Sequence, residues 1–246
     1  MTAGAPKPAR DELVEKLVQS CRILYREVRS VQNPDPIGHF SARVPGTDEF
    51  LVKPRDVGWN RVTADDIVTF DLRYRRLSGP EYEIIELPIH VEVYKMREDV
   101  MAVVHTHQTY ATLMGSLGLK LELLDHNTLA FAGGVPVYDE SIDPTYFSPG
   151  FRTLIREERQ GQILARKMGG ANAIILKAHG PVVVGRSVEE ACMATVALEN
   201  AAKAQIIAAM VRGQGEPIEG LGIAGQTPSA GRWRALVDSY RGETPS

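Results

Sequence analysis

The chain has 246 residues, 43% of them hydrophobic and 24% charged, with a formal net charge of −3. That length suits one sizeable α/β domain or two small ones. Without a basic cluster there is no electrostatic case for nucleic-acid binding, and no apolar run reaches the length of a membrane span.

Met1 to Arg10 is Pro/Ala-rich and lacks the apolar core of a signal peptide, so residues 1–10 read as a short disordered lead. Asp11 to Val31 has helical periodicity: Leu13, Leu17, Cys21, Leu24 and Val28 share one face, with Asp11 as the N-cap. Gly38 to Val44 alternates, Pro45-Gly46-Thr47-Asp48 turns the chain, and Glu49 to Lys53 returns it as a hairpin. Ile67 to Asp71 and Tyr82 to Ile85 are further short strands, separated by a Gly79-Pro80 turn. Pro88 to Arg97 is a helix with proline near its first turn, and Val100 to His105 an apolar strand. Tyr110 to Leu117 is helical, and Ala132 to Tyr138 turns into a short strand. Thr153 to Met168 is a charged amphipathic helix, Ala173 to Lys177 a buried strand, and Gly180 to Gly185 its hairpin partner. Ser187 caps the longest helix, which runs to Met210, with Glu190 completing a capping-box pattern. Residues 213–246 form a Gly/Pro-rich extension with a short helix, Gly231 to Tyr240. The fold class is α/β, a single α/β/α domain over 11–212 with a mixed central sheet. Cys21 and Cys192 both fall in helical patterns, which points to free thiols and a reducing cytoplasm.

The chemistry concentrates in Val103-Val104-His105-Thr106-His107. Strand alternation puts both imidazoles on one face, about 7 Å apart along the backbone. His179 ends the second apolar run, and Glu86 stands between Ile85 and Leu87. Three histidines and a carboxylate with an open position suit a catalytic rather than a structural divalent metal site. Each residue also has a plain reading: a hydrogen-bonded strand pair for His105 and His107, a turn residue for His179, a surface glutamate at a helix start for Glu86. His39, Ser41 and Arg43 share a strand face. Arg43 either clamps a substrate carboxylate or pairs with Asp48 or Glu49. His126 either supplies a proton or makes a structural hydrogen bond. His90 is a core or supporting residue, and Lys53 and Arg55 read as solvated surface.

Together, Gly38 to Arg43, Glu86 to His90, Ala102 to His107 and Lys177 to Gly180 resemble the class II aldolase/adducin family in order and spacing, over roughly residues 11 to 210. The resemblance implies an α/β/α sandwich, a tetramer with sites between subunits, and His105, His107 and His179 as ligands of a divalent cation. Zinc is the expected ion; manganese, iron and cobalt are compatible. It also implies that Glu86 is the acid/base and can ligate the metal in the empty site. Sugar-phosphate members carry Thr/Ser-Gly-Asn-x-Ser where this chain has Ile37 to Ser41, two serines where it has Ile84 and Ile85, and often a tyrosine where Asn127 stands. Branched aliphatics donate nothing to a phosphate, so the expected substrate is a small non-phosphorylated carboxylate, contacted by His39, Ser41, Arg43, Ile84 and Ile85. The expected activity is a metal-dependent carbon–carbon lyase, decarboxylation being favoured over aldol cleavage, with Glu86 and His126 as catalytic groups. A non-catalytic adducin-like scaffold and an iron oxygenase are the readings of other classes.

Overall fold

The computed structural model describes residues 7–28, 37–139 and 154–211, together with positions 233, 234 and 237. Among these residues, eight strands form one sheet: β1 (His39–Arg43), β2 (Glu49–Lys53), β3 (Val68–Asp71), β4 (Arg76–Ser78), β5 (Ala102–His105), β6 (Val137–Tyr138), β7 (Ala173–Leu176) and β8 (Gly180–Gly185). Their order is β4-β3-β2-β1-β5-β8-β7-β6. Every pair is antiparallel except β6 with β7, so the sheet is mixed, as the sequence suggests. Among the described residues, helices α1 (Lys7–Glu27), α2 (Leu87–Met96), α3 (Thr109–Ser116), α4 (Glu158–Met168) and α5 (Val188–Met210) cover it.

Alternation along the strands decides which helices lie on which face. Phe40, Ala42, Leu51 and Val104 point to the face covered by α1 and α5. Their neighbours Phe50, Val52 and Val103 point to the opposite face, covered by α2 and α4. Ile175 and Val183 pack under α3 and α5. Burying each such side chain contributes about 1.5–3 kcal/mol, so the period-2 pattern fixes the register of the layers. Cys21 and Cys192 are buried free thiols in the α1/α5 layer. In the C-terminal extension, Trp233 and Val237 join the same layer, and Trp233 Nε1 donates to Ser20 Oγ at 2.8 Å; of the predicted Gly231–Tyr240 helix, the positions other than 233, 234 and 237 lie outside the described residues.

Four expectations shift. Helix α1 starts at Lys7, inside the predicted lead, because Pro8 is tolerated in a first turn whose amides have no intrahelical partner. Asp11 is therefore within the helix, and Arg10 pairs with Glu49 at 2.7 Å. The last three residues of the predicted first helix lie outside the described residues. The short strand expected at Tyr82–Ile85 is not formed. Instead the chain turns at Tyr74 (φ +64°), and β4 pairs with β3 ahead of Gly79. This fully exposed, charged edge strand carries no apolar alternation by which to recognise it. Helix α4 begins at Glu158, where Glu157 and Gln160 form a reciprocal capping box.

One end of the sheet gathers the residues of interest. The start of β1, the ends of β2 and β5, the β7–β8 loop and the N-terminus of α2 all meet there. In register, His39 lies opposite His105, and His105 opposite Val182.

Candidate metal centre

β5 lies between β1 and β8, which holds His105 on the α2/α4 face. The chain stays extended past the strand end, with the Thr106 amide donating to Pro181 O at 3.3 Å. His107 therefore returns to the same face, its ring centroid 5.2 Å from that of His105. His179 closes a tight loop between β7 and β8: Ala178 takes φ +58°, and the His179 amide donates to Leu176 O at 3.1 Å. Its ring centroid lies 4.9 Å from both His105 and His107, edge to face with each. Gly180 permits this approach, since a Cβ there would lie 2.2 Å from Thr106 O. Gly38 does the same across β1, where a Cβ would lie 2.6 Å from His105 O.

Glu86 is the N-cap residue of α2, with Pro88 at the second helical position. Its side chain makes no capping bond and turns into the cluster instead. Oε2 lies 3.2 Å from His105 Nε2 and Oε1 lies 3.5 Å from His179 Nε2. Oε1 also accepts the Ile155 amide at 3.3 Å, and Glu86 is buried.

Glu86, His105, His107 and His179 each offer a donor atom within 4.8 Å of the others. Their chemistry fits a divalent ion. His105 Nδ1 lies 3.0 Å from Pro181 O, and donation to that carbonyl turns the unprotonated Nε2 toward the cluster, as a metal-ligating imidazole requires. His107 Nε2 is buried without a hydrogen-bond partner among the described residues. Burial, then the neighbouring His105 and His179, push the His107 pKa down to about 3, which keeps it neutral. Burial alone would raise Glu86, but the facing His105, with His179 and His39 beyond, holds this carboxyl well below the usual range. Three imidazoles beside one carboxylate suit zinc and related first-row ions.

The other residues singled out from sequence divide. His39 borders the cluster: it is buried, its ring lies 6.4 Å from that of His105 at 20°, and neither of its nitrogens has a hydrogen-bond partner among the described residues. Burial and the adjacent His90 hold His39 well below its ordinary pKa. Ser41 Oγ is tied to α2 instead, 2.7 Å from His90 Nδ1 and 2.8 Å from Tyr94 OH. Arg43 is not a clamp. Its Nε donates to Val100 O at 3.0 Å, and one terminal nitrogen donates to the carbonyls of Tyr94 and Arg97, so the guanidinium caps the last turn of α2. It sits about 13 Å along β1 from His39. Ile84 is buried in the α2/α4 core, while Ile85 beside Glu86 is half-buried. His126 is exposed, opens a short 3-10 helix capped by Asp125, and is not one of the four converging residues.

Two features escaped the sequence reading. The Tyr94–Ser41–His90 chain follows from residues four apart on α2, with Ser41 facing them from β1. Lys53, read as surface, is fully buried with Nζ 4.6 Å from the Trp59 ring centroid, and burial pushes its pKa down to about 8. Alternation with Leu51 carries the signal: both point to the α1/α5 face.

A protein of Pseudomonas aeruginosa named for aldolase class 2 is 28% identical over 172 residues, 69% of this chain and 62% of its own length. The chain thus spans less than two thirds of that relative. The 3,4-dihydroxyphthalate decarboxylase of Arthrobacter keyseri is 28% identical over 201 residues, 76% of this chain and 75% of its own. Among solved structures, the L-fuculose 1-phosphate aldolase of Glaciozyma antarctica superposes with a TM-score of 0.68 at 24% identity, covering 94% of this chain and 82% of that one. The profile described as Class II Aldolase and Adducin N-terminal domain matches residues 15–206, a stretch that contains the whole cluster, and the chain belongs to that family.

Proposed function

We propose that this chain is a divalent-metal-dependent carbon–carbon lyase that decarboxylates a non-phosphorylated hydroxy-aromatic or 2-oxo carboxylate. The observation that carries the reading is the convergence of His105, His107, His179 and Glu86 beside the open ring nitrogens of His39. A relative named as a decarboxylase, aligned over three quarters of both chains, supports the direction of the chemistry.

His105, His107 and His179 would hold the cation, zinc by preference, with manganese, iron or cobalt compatible with the same donors. When bound, it supplies a Lewis acid that polarises a chelated hydroxyl or oxo group and draws off negative charge. Glu86 carries the proton. It takes it from the substrate hydroxyl at Oε2 and delivers it to the carbon that loses its carboxylate. With the hydroxy-aromatic substrate, the ring carbon takes up that proton, the bond to the carboxylate breaks, its electron pair returns to the ring, and carbon dioxide leaves. His39 faces the substrate with a hydrogen-bonding nitrogen, and Ile85 offers an apolar wall where a phosphate would find no donor. His126 is assigned no step. A complete donor set argues against a scaffold, which has no use for one.

The enzyme works as a cytoplasmic homotetramer in this reading. Ile207, Met210 and Val211 support it as exposed apolar residues at the end of α5. Metal-loaded protein incubated with hydroxybenzoates and 2-oxo acids tests the activity: carbon dioxide supports it, and aldehyde release assigns retro-aldol cleavage instead.

A further inference from the structure

Two rows of side chains face each other beside the metal cluster. Glu86, His90 and Tyr94 recur every four residues along one face of α2, and His39, Ser41 and Arg43 alternate along β1 toward them. Glu86 and His39 lie at the cluster end. At the other end the Arg43 guanidinium sits 4.7 Å over the Tyr94 ring centroid. Between these ends, Ser41 Oγ stands 2.8 Å from Tyr94 OH and 2.7 Å from His90 Nδ1. Ser41, His90 and Tyr94 are all buried.

Hydrogen-bond satisfaction places the protons of this chain. Tyr94 OH meets no acceptor besides Ser41 Oγ among the described residues, so the phenol donates to the serine. Ser41 then gives its own proton to His90 Nδ1. The reverse order would strand the phenol proton in the core, which is costly. With Nδ1 accepting, the His90 ring is neutral and carries its proton on Nε2. That Nε2 has no hydrogen-bond partner among the described residues, and neither has Nδ1 or Nε2 of His39. The two rings meet edge to face, with centroids 5.8 Å apart at 89°. The N–H dipole of His90 therefore lies beside an imidazole whose own proton no hydrogen bond among the described residues places.

Resting on the reading of His39 as a substrate contact, we infer that Tyr94, Ser41 and His90 form a directional relay that fixes the tautomer of His39. His90 is the positioning residue. Its N–H favours the unprotonated nitrogen of His39 on the near side and leaves the His39 N–H on the far side, toward the substrate. His39 is then a hydrogen-bond donor, and the substrate group that meets it is a carboxylate or carbonyl oxygen rather than a hydroxyl.

Nitrogen NMR of labelled histidine side chains in the zinc-loaded protein reads the tautomers. Wild type should show His90 as the Nε2–H form and His39 in a single form. Ser41→Ala removes the donor to His90 Nδ1 and should turn both into mixtures, with zinc content unchanged. His90→Asn, whose amide reaches only the Nδ1 position, should leave His39 mixed. His90→Gln, whose amide reaches the Nε2 position, should restore a single form. Calorimetric binding of salicylate, whose carboxylate stands beside a chelating hydroxyl, gives the functional readout. Ser41→Ala should weaken it by about 3- to 10-fold, the range of one neutral hydrogen bond. In a His39→Phe background the same change should have no effect, because the relay acts through His39. An Nδ1–H form of His90 in wild type, a His39 tautomer that ignores Ser41→Ala, or an equal loss in both backgrounds overturns the proposal. If salicylate does not bind wild type, the hydroxy-aromatic reading fails and the tautomers alone decide the relay. Fixed tautomers in a protein that releases no carbon dioxide uphold the relay and reject decarboxylation.

Discussion

Gly180 stands so close to Thr106 that a Cβ on it would meet the Thr106 carbonyl oxygen at 2.2 Å. This contact brings the His179 loop against the His105–His107 strand end, so a backbone constraint sets the geometry of three side-chain ligands. Gly180→Ala should force the two segments apart, cost about 1–3 kcal/mol and weaken zinc binding. Ala178→Gly should do neither, because glycine takes the positive φ of that loop without strain. Thermal melts and zinc titrations of the two variants separate these outcomes. Equal zinc affinity in Gly180→Ala and wild type would contradict the constraint.

Ligands and proton carrier should part company under mutation. His107→Ala should lose bound metal by elemental analysis. Glu86→Gln should keep most of it yet lose turnover by about 10²- to 10⁴-fold. If Glu86→Gln empties the site as completely as the histidine variant, Glu86 is chiefly a ligand.

Arg43→Gln should destabilise the fold by about 1.5–3 kcal/mol, since three carbonyls near the end of α2 lose a charged donor. Turnover per folded molecule should hold. A denaturant melt beside a rate assay checks this. A variant of unchanged stability with a raised KM would return Arg43 to the substrate.

The metal-free protein should be acid-labile. Burial, then the neighbouring His105, pushes the pKa of His90 down to about 3, and burial moves His39 in the same direction. Unfolded, each imidazole binds a proton near pH 6.5. The unfolded chain thus binds more protons between those values, and stability falls as pH drops through the window. Melting temperature followed from pH 7 to 4 should decline for wild type and decline less steeply for His90→Gln. Parallel curves would remove His90 as a source of the slope.

Light scattering should give a mass near four chains at micromolar concentration, and substitution of Ile207 and Met210 by charged residues should lower it. A fully active monomer would contradict the assembly.

What was legible in the sequence is what local period controls. His105 and His107 follow from alternation at the end of an apolar strand, His179 from a strand-loop-glycine pattern, and Glu86 from its place ahead of Pro88. His39 follows from the same alternation, which the β1–β5 register then sets opposite His105. Arg43 obeyed the alternation too, yet face is not position: its partners are carbonyls at the far end of α2, brought there by packing of α2 across the sheet. Lys53 was misread because a charged strand end usually reaches water, and here Trp59 folds over it. Ile84 and Ile85 are adjacent but take different environments, one in the core and one beside the site. β4 has a single apolar residue, the exposed Leu77, and exists by pairing with β3.

The most direct test of the account is carbon dioxide release. Metal-loaded protein, the same protein treated with a chelator, and the His107→Ala variant are each incubated without oxygen with hydroxy-aromatic mono- and dicarboxylates, 2-oxo acids and dihydroxyacetone phosphate. Carbon dioxide and aldehyde are scored together. The account predicts carbon dioxide from a hydroxy-aromatic carboxylate, lost with the chelator, restored by zinc and absent in His107→Ala. Aldehyde chemistry on the sugar phosphate, or carbon dioxide release that the chelator leaves untouched, would contradict it.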